Sequence, residues 1–288
     1  MLNLQLGSVG VRPQIEARNR YRIWQSNTDP TQQAIWDASE AVRRSSLWGR
    51  LAWQDVLLRY RRSALGPFWL TLSMGVMIGA LGVIYGDLFK VNRLEYLPYL
   101  TVSLLVWNLL QSSISDGCQT FIEAEWVIRQ INIPLPIFPL RVVCRNLIIF
   151  AHNFVIYFIV ILIYPVDMGW IILAAIPGLA ILLANALWCS VLLGMLSARF
   201  RDLPQIVASV LQIAFFATPV IWRVDLIDKK YLVFINPLYH FIEVVRAPLL
   251  GQSPDPASWY IVSAITILGF GVTVLFYHSF RSRIAFWV

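Results

Sequence analysis

From Pro67 to Gly86 the chain carries no Asp, Glu, Lys or Arg. A helix needs about 20 consecutive apolar residues to cross a hydrocarbon layer of roughly 30 Å. Six runs meet that need, at 67–88, 97–115, 146–166, 170–197, 203–222 and 258–280. None contains Lys, Arg or Glu, and Asp87, at the end of the first, is their one acidic residue. The runs do not alternate polar and apolar residues, which argues against a transmembrane barrel. Composition agrees: 58% of residues are hydrophobic and 14% charged, against roughly half and a quarter in soluble domains. The expected fold is an all-α membrane protein with six transmembrane helices.

The cations set the expected orientation. With the N-terminus in the cytoplasm, ten arginines up to residue 62 fall on that side, as do Arg129, Arg141, Arg145, Arg199, Arg201, Arg281 and Arg283. Lys90, Arg93, Arg223, Lys229, Lys230 and Arg246 fall on the other. The positive-inside bias then places both termini in the cytoplasm. Residues 1–62 are polar and arginine-rich, without the short apolar run and cleavage site of a signal peptide, so the first span is expected to serve as an uncleaved anchor. The net charge of +7 needs no nucleic-acid partner, because the cations lie where anionic headgroups are.

Three segments between the spans are informative. Residues 37–62 read as an amphipathic interface helix after an N-terminal extension, 1–36. Asp37 and Glu40 have capping-box spacing; Trp53, Val56, Leu57 and Tyr60 share a face, with Asp55, Arg59 and Arg62 broadly opposite. Such a helix lies in the headgroup plane, and Gly66-Pro67 turns the chain into the bilayer. Residues 119–131 form a short helix exposing Glu123, Glu125 and Arg129, which Pro134, Pro136 and Pro139 stop. It serves either as a docking knob for a cytoplasmic partner or as a plain connector. In 223–257, Asn236-Pro237 starts a helix, Glu243 and Arg246 are spaced to pair on it, and Pro248 and Gly251 end it. This stretch is too short and too charged to span, and it reads as short re-entrant or interfacial helices on the outer face. Non-helical backbone at that depth is tolerated where protein or a watery cavity surrounds it.

The chain shows no means of energising transport. Its three lysines, Lys90, Lys229 and Lys230, stand in no phosphate-binding loop. The spans lack the ionisable residues through which ion-coupled carriers work. Cys118, Cys144 and Cys189 suggest no disulfide framework. His152, His240 and His278 lack metal-ligand spacing.

Four stretches, in order, resemble the permeases of ABC-2 type polysaccharide exporters. RYRRSALGPFW resembles their junction of interface helix and first span, and VIRQINIPLPIFPL their loop between spans two and three. ARFRDLPQIVASVLQIAFFATPVIW is similar to the start of their fifth span, and NPLYHFIEVVRAPLLG to their outer gate helices. The resemblance covers residues from about 40 to 288. It implies a homodimeric permease of the bacterial inner membrane, working with two ATPase subunits that bind ATP and Mg; this chain itself takes no cofactor. It implies cargo built on a polyprenyl diphosphate lipid and moved through a channel at the dimer axis. Family cargoes are O-antigen, capsular polysaccharide and teichoic acid, and the ending IEVVRAPLLG is most similar to the O-antigen exporters.

On that basis, ATPase docking is expected at Glu123, Glu125 and Arg129, with Arg201 and Asp202 as a lesser contact. Asn236, Pro237, Tyr239, Glu243 and Arg246 are expected at the outer gate. Arg59, Arg61 and Arg62 either fix topology or admit the lipid diphosphate, which guanidinium groups bind bidentately. Trp69, Tyr85, Trp170 and Trp222 suit an interfacial belt. Trp107 and Asn108 stand mid-span, as do Phe215 and Phe216, so these four are expected along the channel or in helix packing. Two other readings stay open at this point. One is an ABC-2 permease for a drug or small lipid. The other is a membrane-embedded transferase, which would need grouped carboxylates or a histidine, whereas Asp87, Asp167 and Asp225 stand singly.

Overall fold

The computed structural model of the protein describes residues 30–59, 68–131, 133–226, 228 and 231–288. Two helices, α1 (Pro30–Arg43) and α2 (Ser45–Arg59), precede α3 (Phe68–Leu88) and α4 (Arg93–Glu123). Then come the short α5 (Glu125–Gln130), α6 (Ile137–Ile163) and, after a 3-10 turn at Trp170–Ala174, α7 (Ala175–Arg199). The remainder is α8 (Leu203–Ala217), α9 (Tyr231–Phe234), α10 (Pro237–Leu249), α11 (Pro256–Phe280) and α12 (Ile284–Trp287). Among the described residues, five stretches are long and apolar enough to cross a membrane: Phe68–Leu88, Arg93–Gln130, Ile137–Ile163, Trp170–Arg199 and Pro256–Trp287. They overlap five of the expected spans, the second running on past residue 115 to Gln130 and the third beginning at Ile137 rather than 146.

The remaining span, expected over 203–222, is helical only to Ala217. Its 15 residues extend about 22 Å at 1.5 Å per residue, short of the roughly 30 Å hydrocarbon layer. The stop is local chemistry. Pro219 pushes Thr218 out of the α region, and Thr218 sits at φ −100°, ψ 139°. The extended segment that follows then needs donors for its carbonyls. Tyr96 Oη donates to Ile221 O at 2.8 Å. Tyr99 Oη lies 2.9 Å from Pro219 O and 3.0 Å from Trp222 O. Arg246 Nη1 donates to Pro219 O at 2.7 Å and to Tyr99 Oη at 2.8 Å, while its Nη2 meets Glu243 Oε2 at 2.6 Å. Arg246 is only 3% exposed, and its guanidinium stands 4.4 Å from the Tyr99 ring centre.

The central helix is α4, which packs most extensively on α7 and α6 and contributes Tyr96, Leu100, Leu104, Trp107 and Leu109 to the main core. Two glycines permit backbone contact along α7. A Cβ at Gly178 would stand 2.4 Å from Val244 O of α10, and one at Gly117 of α4 would stand 2.9 Å from the Ser190 Cα of α7. As expected, Asn236 caps α10: its side chain accepts from Leu238 N at 3.0 Å, and its amide donates to Thr218 Oγ1 at 2.8 Å.

The arginine-rich end departs from expectation in several places. No capping box forms at Asp37. Helix α1 begins seven residues earlier, at Pro30, inside the expected extension. Asp37 is fully buried, accepting from Tyr277 Oη at 2.8 Å and from Arg281 Nε, while Arg281 Nη1 donates to Gln33 at 2.8 Å. Glu40 instead pairs with Arg44 at 2.6 Å. On α2 the expected apolar face divides: Val56 is buried against α6, whereas Trp53 and Leu57 are about half exposed. Asp55, expected on the outward face, points inward because two guanidiniums require it. Arg141 Nε donates to Asp55 at 2.6 Å; Arg145 lies 3.5 Å from Asp55 and 2.9 Å from Asp116. The expected separate helix 119–131 is the end of α4 plus α5, with a kink at Ala124. Helix α6 starts nine residues before residue 146, at Ile137, because Pro139 falls in its first turn, where proline is tolerated. Tyr60, Arg61, Arg62, Gly66, Pro67 and residues 1–29 lie outside the described residues.

Truncating Arg246 would strand Glu243 and remove a donor from Pro219 O. Breaking a buried pair this way costs roughly 3–5 kcal/mol. Tyr99→Phe, which removes one hydroxyl from the same cluster, should cost about 1–3 kcal/mol. Chemical unfolding of the purified protein in detergent tests both. Parental stability in Arg246→Ala would refute the role assigned to the cluster.

Candidate functional site: polar stripes on an apolar bundle

Helix α8 buries a single side chain, Leu211. Along its open side Gln205, Ser209, Gln212 and Phe216 recur at steps of four, three and four, which places them in one line, and all four are exposed. A second line runs along α4, through Asn108, Gln111, Ser115 and Gln119. Gln111 is exposed and the other three half-buried, on a helix whose remaining faces are largely buried. The two helices run antiparallel and touch where the Trp107 and Phe215 rings stand 5.5 Å apart. From that level both stripes descend towards the arginine-rich end, the α4 stripe over about 16 Å. Neither contains a charge. Amides and hydroxyls can donate and accept, so this wall suits a neutral, hydroxyl-rich molecule. Ser209 Oγ donates to Gln205 O at 3.0 Å and Gln111 Oε1 accepts from Trp107, but facing lipid tails the remaining amide groups would go unsatisfied, at appreciable cost.

The expected mid-span residues are brought together here. Trp107 is buried, and its Nε1 donates to Gln111 Oε1 at 2.7 Å, so the indole orients a stripe amide. Asn108 belongs to the α4 stripe. Phe215 is half-buried between Trp107 and Phe216, whose ring centre is 5.3 Å away; Phe216 is 65% exposed. Sequence reasoning passed over Gln111, Ser115, Gln119, Gln205, Ser209 and Gln212. Their helical spacing within otherwise apolar runs was the available signal.

At the re-entrant end Tyr239, Glu243 and Arg246 gather on α10, while Asn236 and Pro237 act at its start. Nearby, Arg223 bridges Glu95 and Asp225, each at 3.0 Å. Partial burial disfavours its charged form, but the hydrogen bonds it donates to Glu95 and Asp225, with their negative charges, outweigh this and hold the guanidinium above its ordinary range. At the opposite end, Glu125 pairs with Arg129 at 2.9 Å and lies 4.0 Å from Arg201. Arg129 also donates to the main-chain oxygen of Val288, and Arg201 to that of Trp287 at 3.3 Å. Glu123 and Asp202 are exposed. The large exposed side chain of α5 is Trp126, at 66%, and Ile131, at the helix end, is 50% exposed. Arg59 is exposed at the end of α2. Among the described residues no cluster of His, Cys, Asp or Glu is placed to hold a metal ion.

Comparison with known proteins bears on this arrangement. The chain is 23% identical over 244 residues to the O-antigen export system permease protein RfbA of Myxococcus xanthus, covering 82% of this chain and 92% of that protein. It is 24% identical over 194 residues to an O-antigen export system permease protein RfbA of Klebsiella pneumoniae, covering 66% and 74%. A second Klebsiella pneumoniae protein of that name is 23% identical over 227 residues, covering 77% and 86%. The model of one family, the ABC-2 type transporters, matches residues 46–250. With five stretches among the described residues long and apolar enough to cross a membrane, a shorter apolar helix and this match over most of its length, the chain is a multi-pass membrane protein that belongs to the ABC-2 type transporter family.

Proposed function

We propose that this chain is the permease subunit of an ABC exporter that moves O-antigen, as a lipid-linked polysaccharide, across the bacterial inner membrane. The observation that carries the reading is the pair of charge-free polar stripes on α4 and α8. A sliding polysaccharide exposes hydroxyl edges and apolar C–H faces; amides serve the first, and Phe216 the second. The names of the relatives favour O-antigen as the cargo. A second copy of the chain, placed with its α4 and α8 opposite these, would enclose the stripes in a channel and relieve their exposure to lipid. Trp107, Asn108, Phe215 and Phe216 then lie on or directly behind the channel wall, and the α10 cluster gates its outer end.

Energy comes from two ATPase subunits, which bind ATP and Mg. They dock at the arginine-rich, cytoplasmic end against α5, through Trp126, Glu123, Glu125 and Arg129, with Arg201 and Asp202 alongside. Both termini lie on that side. Arg59, Arg61 and Arg62 admit the diphosphate headgroup at the inner face.

Three outcomes are expected. Gln205→Leu combined with Gln212→Leu should lower polymer export several-fold at unchanged membrane level and unchanged ATPase co-purification; parental export would remove the stripes from the path. Trp126→Ala with Glu123→Lys should weaken co-purification of the ATPase, and full recovery of the complex would rule out α5 as the dock. Replacing Arg59, Arg61 and Arg62 together by lysine keeps charge but loses the bidentate fork. Export should fall, whereas an unchanged rate would leave those arginines with topology alone.

A further inference from the structure

At the re-entrant end the chain lines an open cavity of about 420 Å³. Its walls come from the start of α4, the connector at Pro165 and Val166, the segment 223–225, and helices α9 and α10. It is separate from the α4 and α8 stripes. Two features define its chemistry. The first is charge balance. Glu95, Asp225 and Glu243 face Arg223 and Arg246, and each guanidinium is already engaged, Arg223 by Glu95 and Asp225, Arg246 by Glu243. Three carboxylates against two guanidiniums leave no cationic excess, so a phosphate or diphosphate group would have to break these pairs to bind. The second is the mixture of rings and open acceptors. Tyr99, Tyr239 and Phe234 supply aromatic surface, while the Glu95 and Asp225 side chains are 65% and 67% exposed and have oxygens free beyond those held by Arg223.

We infer that this cavity is a saccharide-binding site, taking one or two neutral sugar units of a glycan on the outer side of the gate. Sugar hydroxyls would donate to the spare carboxylate oxygens of Glu95 and Asp225, and accept from the remaining Arg223 N–H groups and the Gln252 amide. Their C–H faces would lie against Tyr239 and Phe234. Paired charges of this kind give strong, directional, charge-assisted hydrogen bonds without attracting ions, and the volume is within the range of small-molecule pockets. The site adjoins the Arg246 and Tyr99 bonds to Pro219 and Trp222, so an occupying sugar would touch the residues that hold the re-entrant segment. The inference rests on the export reading above, because it takes the ligand to be part of the cargo.

The test uses the full chain with its co-purified ATPase in lipid nanodiscs. The probes are short oligosaccharides released by mild acid from the surface polysaccharide of the producing cells, with inorganic diphosphate as competitor. Saturation-transfer NMR should detect oligosaccharide binding. Glu95→Gln with Asp225→Asn should weaken it at least about tenfold, the loss expected when charge-assisted bonds are removed. Gln252→Ala, at an exposed position, should weaken it less, and diphosphate should not compete. Absence of binding, binding indifferent to the double variant, or displacement by diphosphate would each overturn the site. A parental complex that neither retains an ATPase nor exports polymer would strike the export reading instead, so the two failures are distinguishable.

Discussion

The re-entrant end depends on the buried guanidinium of Arg246. Once Pro219 has ended α8, a buried run of main chain carries carbonyls that the helix no longer satisfies. Such groups cost several kcal/mol each in hydrocarbon. Arg246 and the Tyr96 and Tyr99 hydroxyls provide the donors. Because α4 carries both tyrosines and α10 carries the arginine, one cluster fixes the start of α4, the end of α8 and the whole of α10 relative to one another. Glu243 completes it by supplying the opposing charge. An isolated guanidinium at 3% exposure would otherwise be strongly disfavoured.

The arginine-rich end uses the same chemistry for attachment. Asp55 and Asp116 hold Arg145 between α2, α6 and α4. Asp37 holds Arg281 and Tyr277, which ties α1 to the end of α11. Ion pairs of this kind add little net stability over apolar packing. Their effect is positional: they join the two helices that precede the first span to the ends of later spans. This also makes physical sense of arginines that topology alone would require only as a cationic excess.

Much of this was legible in the sequence because membrane spans are set by hydropathy, which is local. The positions of α3, α7 and α11, the cap at Asn236 and the pair Glu243–Arg246 all follow from residues within a few positions of one another. What could not be read was long-range pairing. Asp37 has the spacing of a cap, yet its partner stands 244 positions away at Arg281. Asp55 looked solvent-facing because Arg141 and Arg145 belong to another helix. The break at Ala217 was accessible, since Thr218-Pro219 forbids helix locally; length was the misleading guide. The stripes were missed for another reason. Gln and Asn are strongly hydrophilic, but set three or four residues apart they leave the average over a span apolar, so their periodicity is what betrays them.

The distribution of buried side chains separates the bundle into firm and loosely held parts. Glycine contacts press α4, α7 and α10 together at backbone distance, at Gly117 with Ser190 and at Gly178 with Val244. Packed interfaces of that kind do not deform continuously, so these three helices must move together or not at all. Helix α8 buries only Leu211, and α3 only Met74, Ile78, Gly82 and Gly86. Elements with few buried contacts open at the lowest free energy. A rearrangement beside the stripes therefore costs least if α8 and α3 shift against a fixed α4–α7–α10 core. The tether at the far end of α8 sets the limit to that shift, because Pro219 and Trp222 remain bonded to Tyr99 and Arg246 of that same core. The helix that carries one polar stripe is thus held at its far end by Tyr99 and Arg246 and at mid-length where Phe215 meets Trp107, while the helix that carries the other is packed into the core.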